Sequence, residues 1–554
     1  MAKLISADLI NNKLCVLEYT TNDATMLSVN PEEFDAIIVL HTYTNTGKII
    51  FAKPITTIGE WVFHKCENLT SITIPNSVTT IGEGAFRECL NLSSITIPNS
   101  VMTISEWAFS YCTNLTRITI PDSVMTIGRY AFFGCWELKS IAIPNSVTTI
   151  GDGMFGQCTN LTSITIPDSV TTIGEGAFSE CENLTRITIP DSVTTIGDET
   201  FWGCENLTSI TLPNSVTTIG DETFRWCENL TSITIPNSVT RIGARAFSYC
   251  KNLTRITIPD SVTTIGDETF FYCENLASIT IPDSVTTIGE RAFSKCQNLT
   301  CITIPDNMMT IGKGVFSACK NLKEFKGKFA SEDERYLIVN GIVNSFAPAG
   351  LEKYTIPDSA TTIGEFAFWG CENLTNITIP NSITLIEGWA FKECLNLSSI
   401  TIPDSVTTIG NGVFYKCKNL TSITIPNSVT TIRGCTFEGC ENLTSITIPD
   451  SVTGIEWSAF RECLNLSSIT IPDNVTYIDH QAFSHCINLT CITIPNSVRA
   501  IGDGAFQGCN IETIVCCPKI PPAILNSFDE FENLIVPIGS EESYANSNWG
   551  EYID

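Results

Sequence analysis

Histidine and basic residues are scarce in this chain, and each shortage argues against a class of function. Only four of the 554 residues are histidine, so a metal site or an acid–base site built on histidine is not expected. Lysine and arginine number 31 against 59 aspartate and glutamate residues, which gives a formal net charge of −28. Because clustered lysine and arginine are what bind nucleic acids and anionic membranes, we expect neither as a partner.

The chain also lacks long apolar segments. No apolar run approaches the roughly 18 residues of a membrane span, so membrane insertion is not expected. Residues 1–19 contain no continuous apolar stretch of the kind that marks a secretory leader. The phosphate-loop pattern G-x-x-x-x-G-K-[ST] and the zinc-protease pattern H-E-x-x-H do not occur. The sequence therefore predicts a protein that is not an enzyme, with no catalytic residues, cofactor or metal.

Cysteine, in contrast, is frequent and recurs at a fixed period. Nineteen of the 25 cysteines follow one another in steps of 23 residues, in one series from Cys66 to Cys319 and a second from Cys371 to Cys509. A period of this length is typical of a solenoid, in which each repeat is one turn of chain stacked on the next. The sequence thus predicts one stack of about 20 coils, and not several globular domains.

The repeat that starts at Leu69 reads LTSITIPNSVTTIGEGAFRECLN. Its first part, L-x-x-I-x-I, is typical of a short strand rich in β-branched residues, and Pro75 ends that strand because it has no N–H to donate. The segment GEGAFREC, which follows Gly82, predicts one or two helical turns on the convex side. The apolar positions that we expect in the core are Leu69, Ile72, Ile74, Val78, Ile81, Phe86 and Cys89.

The unit L-x-x-I-x-I-P-x-x-V-x-x-I-G-x-x-A-F-x-x-C resembles the BspA-like class of leucine-rich repeats over about residues 54–540. The tail from Pro521 onward is similar to the closing segment of bacterial members. The resemblance implies an α/β repeat solenoid, curved and right-handed, with a parallel β-sheet on the concave face and short helical turns on the convex side. It also implies adhesion or recognition at the cell surface or after secretion. Since no leader is visible, a cytoplasmic location stays open as the alternative.

One interruption and two irregular ends divide the predicted chain. The spacing between Leu322 and Leu351 is 29 residues, and Asn340-Gly341 lies there between two β-type runs, which predicts a projecting β-hairpin. The predicted parts are a β-rich N-terminal cap (1–53), a first block of repeats (54–324), a degenerate repeat with the hairpin (325–350), a second block (351–517) and a C-terminal cap (518–554).

Most of the repeated polar residues and thiols are interpreted as structural. Parallel Cβ vectors about 4.8 Å apart do not match the separation near 3.8 Å that a disulfide needs, so the cysteines are predicted to form a ladder of free, buried thiols. Cys301 and Cys491 are exceptions, because they replace serine at a position that faces solvent. The asparagines of the Asn-Leu-Thr and Asn-Leu-Ser triplets, such as Asn68 and Asn91, formally match glycosylation acceptors but are interpreted as corner residues that bond to the backbone.

The concave face supplies one candidate partner-binding surface. Rows of serine and threonine are interrupted every third coil by Arg117, Arg186 and Arg255. Such a hydroxyl-rich floor with cationic side chains suits an acidic or glycan partner. The alternative is that a block of three coils was duplicated and that the arginines have no binding role.

The convex edge supplies a second candidate surface. The two positions after the repeat phenylalanine are usually serine, glycine, glutamate or arginine, but they become aromatic in four neighbouring coils. Binding interfaces are enriched in such residues, whereas the alternative is that the rings only pack sideways between coils. The aromatic candidates are Trp202, Trp226, Tyr249, Phe271 and Tyr272.

Three functions follow from these surfaces. The favoured one is a non-enzymatic recognition or adhesion scaffold, expected to be a monomer, that binds protein or extracellular-matrix partners through extended surfaces. The alternatives are a carbohydrate-binding module that uses the Ser/Thr/Arg face and a self-assembling structural spacer.

Overall fold

The structure is a computed structural model that describes residues 15–553. The described chain divides into two compact units, each a solenoid of parallel strands, and the units together have about 21 turns. The first unit runs to Ala292 and includes Asn307–Thr310, and the second comprises Phe293–Asp306 and the residues from Ile311 onward.

Each regular coil contains a first strand, a short second strand and a turn segment. In the coil that begins at Leu69 the strands are Leu69–Thr73 and Thr80–Ile81. The Val78 N–H donates to the Pro75 carbonyl at 3.0 Å, so the corner between the two strands is a tight turn at the point where proline stops the ladder. All seven apolar positions predicted for this coil are buried, which confirms the assignment of the core.

Successive coils stack with equivalent residues opposite each other. Ile72 pairs with Ile95 in the first-strand sheet, and Thr80 pairs with Thr103 in the second-strand sheet. The ring of Phe86 is stacked on that of Phe109 with centroids 5.3 Å apart. Because each coil buries its apolar edge only against its neighbours, the stack itself forms the core.

The short helical turns predicted for the convex side are not present. The turn segment is non-helical because its N–H groups alternate between two kinds of acceptor. The Phe86 and Glu88 N–H groups donate to the next coil, at Ala108 and Ser110, whereas the N–H between them, of Arg87, donates three residues back. A helix would need every N–H to bond four residues back along its own chain. The predicted α/β class is therefore corrected to a nearly all-β solenoid.

Left-handed residues enforce this turn geometry. We call the stacked phenylalanine of each coil, such as Phe86, the ladder phenylalanine. The residue two before it and the residue two after it have positive φ in coil after coil, as at Gly84 (55°) and Glu88 (60°). We call these two sites the flanking positions. Two left-handed residues within five interrupt any right-handed helix, since L-residues visit this region as single residues.

The first unit starts with a 3-10 helix and three strands outside the repeat, of which Cys15–Thr21 pairs antiparallel with Leu69–Thr73 and covers its outer edge. Strand Thr310–Ile311 has one residue in each unit. The first-unit bounds are Cys15–Thr21, Pro31–Glu33, Ile38–Tyr43 and Gly47–Phe51 at the N-terminus; Leu69–Thr73, Ser94–Thr96, Arg117–Thr119, Ser140–Ala142, Ser163–Thr165, Arg186–Thr188, Ser209–Thr211 and Ser232–Thr234 as first strands; and Thr57–Ile58, Thr80–Ile81, Thr103–Ile104, Thr126–Ile127, Thr149–Ile150, Thr172–Ile173, Thr195–Ile196, Thr218–Ile219, Arg241–Ile242, Thr264–Ile265 and Thr287–Ile288 as second strands.

The second unit contains the hairpin and ends in two short helices. Its bounds are Cys301–Ile304, Glu324–Gly327, Lys353–Thr355, Asn376–Thr378, Ser399–Thr401, Ser422–Thr424, Cys491–Ile494, Thr513–Cys516 and Asn533–Ile535 as first strands; Tyr336–Val339 and Ile342–Phe346 as the hairpin; Thr362–Ile363, Leu385–Ile386, Thr408–Ile409, Thr431–Ile432, Gly454–Ile455, Tyr477–Ile478, Ala500–Ile501 and Ala523–Ile524 as second strands; an α-helix Glu541–Ala545; and a 3-10 helix Asn548–Tyr552.

The hairpin turns at Asn340 and Gly341, both with positive φ. It does not project. Its strand Ile342–Phe346 pairs in parallel with Thr362–Ile363, and Phe346 is buried. The expectation of a projecting element is corrected because the apolar side chains of the inserted residues fill the position of a coil.

Candidate functional site

Three of the predicted aromatic residues form one continuous stack in the first unit. The rings of Trp226 and Tyr249 lie 3.9 Å apart with an interplanar angle of 8°, and those of Tyr249 and Tyr272 lie 5.1 Å apart at 16°. All three side chains are half-buried, so each ring packs on its neighbours and keeps part of its surface in solvent. We call Trp226, Tyr249 and Tyr272 the aromatic ladder.

The backbone places these rings in register. Each of the three residues occupies the second flanking position and has a φ of 62–64°. The Trp226 N–H donates to the Ser248 carbonyl at 2.9 Å, and the Tyr249 N–H donates to the Phe271 carbonyl at 2.8 Å. These bonds hold successive coils in register, and the three rings, which are 23 residues apart, therefore come into contact. The sideways packing considered for them therefore occurs, and it leaves their edges exposed.

The remaining two aromatic candidates occupy the position directly after the ladder phenylalanine. Phe271 lies beside the aromatic ladder, with its ring 5.5 Å from that of Tyr249 in an edge-on arrangement. Within residues 15–553, in contrast, no ring contact joins Trp202 to any of the other four. The structure thus groups four of the five predicted residues and separates Trp202 from them.

An ion-pair ladder runs beside the aromatic ladder at the first flanking position. Arg245 pairs with Glu222 at 3.1 Å and with Glu268 at 2.9 Å, and Arg291 also pairs with Glu268. Burial acts to raise the pKa of Glu222, but hydrogen bonds from Arg225 and Arg245 outweigh it and hold that pKa below its ordinary value. We call Glu222, Arg245, Glu268 and Arg291 the ion ladder. It was not among the predicted sites, although its charges alternate at the same 23-residue spacing.

The three predicted arginines stand on the exposed face of the first-strand sheet. Arg117 and Arg186 begin first strands, and Arg255 forms an isolated bridge with Ser278. All three side chains are exposed, and within residues 15–553 none of them belongs to an ion pair. At a strand spacing near 4.8 Å, a separation of three coils places neighbouring arginines about 14 Å apart. They are too distant to act on one small group but suit an extended anionic chain.

Two further aromatic clusters lie outside the predicted sites. In the first unit the guanidinium of Arg87 lies between the rings of Trp61 and Trp107, at 5.6 and 5.1 Å, and Trp107 stacks on Tyr130 at 4.2 Å. In the second unit the Lys392 ammonium lies 4.5 Å from the Trp369 ring. Most of these rings occupy the first flanking position, so aligning the repeats at that position would have found them.

The thiols are free, as predicted, and the triplet asparagines are hydrogen-bonded within the stack. Every cysteine of the described chain is free, and the Cys89 Sγ donates to the Phe63 carbonyl of the preceding coil at 3.0 Å. Burial raises the pKa of Cys135 to about 12. The asparagine side chains bond to one another from coil to coil, as at Asn114 and Asn91 (3.1 Å). The prediction that these asparagines bond to the backbone is therefore corrected for most of them, although Asn91 does donate to the Glu67 carbonyl.

Neither a metal centre nor a membrane span is found in the described part of the chain. Among residues 15–553 no three histidine, cysteine, aspartate or glutamate side chains converge in a way that would hold a metal ion. None of the helices between these limits has the length and apolar character for crossing a membrane. The side chains brought together here, aromatic rings beside paired charges, suit contact with another surface.

Fold and surface together define a leucine-rich-repeat solenoid. A family model described as BspA type leucine rich repeat region matches residues 40–162, 148–260, 240–330, 343–455 and 407–535. The chain therefore belongs to the BspA-type leucine-rich-repeat family. This confirms the resemblance seen in the repeat.

Several solved structures are similar to the chain. A leucine-rich cell surface protein from Faecalibacterium prausnitzii is 26% identical with a TM-score of 0.43, and the match covers 74% of this chain and 90% of that one. A leucine-rich repeat protein from Eubacterium ventriosum is 23% identical with a TM-score of 0.38, and the match covers 68% of this chain and 86% of that one. The leucine-rich repeat protein of T. pallidum is 32% identical with a TM-score of 0.28, over 29% of this chain and 78% of that one. A comparison with curated proteins found no match.

Proposed function

We propose that the protein is a non-enzymatic recognition scaffold of the cell surface that binds a protein or extracellular-matrix partner through the aromatic ladder. The observation that supports this is the stack of Trp226, Tyr249 and Tyr272, held in register by the backbone and exposed along its outer edge. Membership of a leucine-rich-repeat family supports a role in protein interaction.

The ladder has the properties of an interface centre. Tryptophan and tyrosine give large contact areas, and they dominate binding energy where they are well packed. Because stacking and backbone bonds already hold these rings, little side-chain entropy is lost on binding. The charges of the neighbouring ion ladder are paired with one another, so they do not favour a partner of either charge. The predicted mode is contact between an aromatic centre and an apolar patch on the partner.

The experiment compares two triple variants with the unmodified protein on arrays of host and matrix proteins. In the test variant Trp226, Tyr249 and Tyr272 are replaced by serine. In the matched control Trp107, Tyr111 and Tyr130 are replaced by serine, which removes a stacked pair of the same kind elsewhere in the first unit. We expect the test variant to lose partner binding and the control to keep it, with similar melting curves for both. Equal binding by the two variants would refute the role of the ladder.

A second candidate function is glycan binding on the first-strand face. The exposed, unpaired guanidinium groups of Arg117, Arg186 and Arg255 support it, because they suit a chain that carries several sulfates or carboxylates. The test is a glycan array probed with the unmodified protein and with a variant in which all three arginines are glutamine. Binding of acidic glycans that the variant loses supports this function, and an array without acidic hits contradicts it.

The third candidate, a self-assembling spacer, is tested by mass photometry over a concentration series. Assembly into larger species supports the spacer, whereas a constant monomer mass supports the recognition scaffold.

Location is tested by surface-protease shaving of intact cells, in which loss of the protein supports the cell surface. Survival of the full-length protein after shaving would instead favour the cytoplasmic alternative.

A further inference from the structure

The solenoid has a row of first strands, a row of second strands and a row of stacked phenylalanines. The C-terminal cap covers the ends of the last two rows. The Asn548 Nδ2 donates to the carbonyl of Ile524, at the end of the second-strand row, at 3.0 Å. The phenylalanine row ends under aromatic rings, because Trp549 packs on Phe528 with centroids 5.4 Å apart and the Tyr552 hydroxyl donates to the Phe528 carbonyl. These contacts close the core on the side of the second strands and turn segments.

The first-strand row ends without such a cover. Strand Asn533–Ile535 pairs in parallel with Thr513–Cys516, and it is the last strand of its sheet in the described chain. The Asn533 N–H donates inward to the Glu512 carbonyl at 2.9 Å. Because successive backbone groups of a strand point to opposite sides, the N–H and C=O of Leu534 point away from the sheet. Such an edge can accept another strand.

A groove runs along this open edge. It has a volume of about 610 Å³ and separates strand Asn533–Ile535 from helix Glu541–Ala545. Its apolar lining includes Phe531, Leu534 and Tyr552, and its acidic lining includes Glu532, Glu541 and Glu542. A strand edge on one side and a helix on the other form the kind of groove that takes an extended peptide.

The charge around the groove selects the occupant. Residues 518–554 contain seven acidic residues and one basic residue. Every further copy of this chain carries a formal charge of −28, so a second copy is a poor electrostatic match. We propose that the groove binds an extended segment of a partner protein, which adds as a strand to Asn533–Ile535 and alternates apolar side chains with lysine or arginine. This site is independent of the aromatic ladder and lies outside the proposed function.

The test uses the full chain and short fluorescein-labelled peptides about six residues long, the length of an ordinary strand. One peptide alternates valine and lysine, a second alternates valine and glutamate, and a third is the valine–lysine peptide with alternate backbone nitrogens methylated. Fluorescence anisotropy is expected to show binding of the first peptide only. Methylation removes the strand hydrogen bonds without changing charge, so it separates strand addition from general attraction of cations.

Matched variants locate the binding. The double variant E541Q/E542Q is expected to bind the valine–lysine peptide about fivefold more weakly, since each exposed ion pair contributes modestly. The control D404N/D450N removes the same charge at exposed turn positions and is expected to bind normally. The proposal is overturned if the first peptide does not bind, if the methylated peptide binds equally, or if both variants behave alike. Self-association that the exposed-edge variant I535K abolishes would assign the groove to a second copy and would also overturn it.

Discussion

Replacing two phenylalanine rings in adjacent coils should destabilise the protein by less than the sum of the two single changes. Phe224 lies between Phe201 and Phe247, at centroid distances of 5.5 and 5.4 Å. Each single change, F224L or F247L, removes the same ring–ring contact between these two residues. The double variant F224L/F247L removes that contact only once, so the two effects overlap.

The size of the overlap follows from the geometry. A stacked aromatic pair contributes about 0.5–1.5 kcal/mol beyond the area that it buries. We therefore expect a coupling free energy of about 1 kcal/mol for F224L and F247L, whereas F201L and F247L should add to within about 0.5 kcal/mol because Phe224 separates the two rings. Leucine keeps the sites apolar and limits the cavity, so each variant is expected to fold.

Urea denaturation measures all of these quantities. Free energies of unfolding are needed for the unmodified protein, three single variants and two double variants. A similar coupling in both pairs would mean that strain spreads over several coils, and no coupling in either pair would mean that the rings do not act on each other. Either outcome would refute the nearest-neighbour account of the stack.

Three other predictions follow from the same structure. In the native protein a thiol reagent should modify the exposed Cys491 and Cys517 quickly, and it should modify buried ladder cysteines such as Cys135 only after denaturation. Rapid modification of most thiols in the native protein would contradict the buried ladder. The change A318G, at a flanking position with a φ of 55°, should raise the free energy of unfolding by about 0.5–1 kcal/mol. The change A246G, at a buried site without positive φ, should lower that free energy. Denaturation midpoints that move in the same direction for both variants would contradict this prediction. The pKa of Glu222 is lower in the folded protein than its ordinary value of 4.5, so its contribution to stability is present at neutral pH and is lost as the pH falls through the folded pKa. The difference in the free energy of unfolding between the unmodified protein and E222Q should therefore shrink below about pH 4.5. A constant difference from pH 7 to pH 3 would contradict this prediction.

The stack and its core were predictable because a fixed period imposes like-on-like contacts. Once Ile72 and Ile95 are 23 residues apart in a repeated unit, pairing them satisfies both the hydrogen bonds and the apolar contacts of each coil. Phe86 and Cys89 were predicted to be buried for the same reason, and both are buried. These positions are decided by sequence separation and hydrophobicity, which are both visible without coordinates.

The turn segment was not predictable from the apolar pattern. The apolar residues of GEGAFREC fit one helical face, but the pattern does not show where the N–H groups bond. In the structure those of Phe86 and Glu88 bond to the next coil, and this competes with the helix. Glycine adopts a left-handed conformation easily, as Gly84 does, whereas Glu88 and Trp226 adopt it although their residue types disfavour it. The residue types at these positions therefore do not indicate the left-handed turn.

The same turn decides which surface features the sequence can reveal. Because both flanking positions are left-handed and bonded between coils, their side chains project in fixed rows beside the phenylalanine stack. One row became the aromatic ladder and the other became the ion ladder, and each depends on the residue type at a single position of the repeat. A substitution such as Tyr249→Glu would therefore alter the exposed row between Trp226 and Tyr272 while leaving the buried residues of that coil unchanged. Surface and core are specified by different positions, so binding properties can change along the stack without a change of fold.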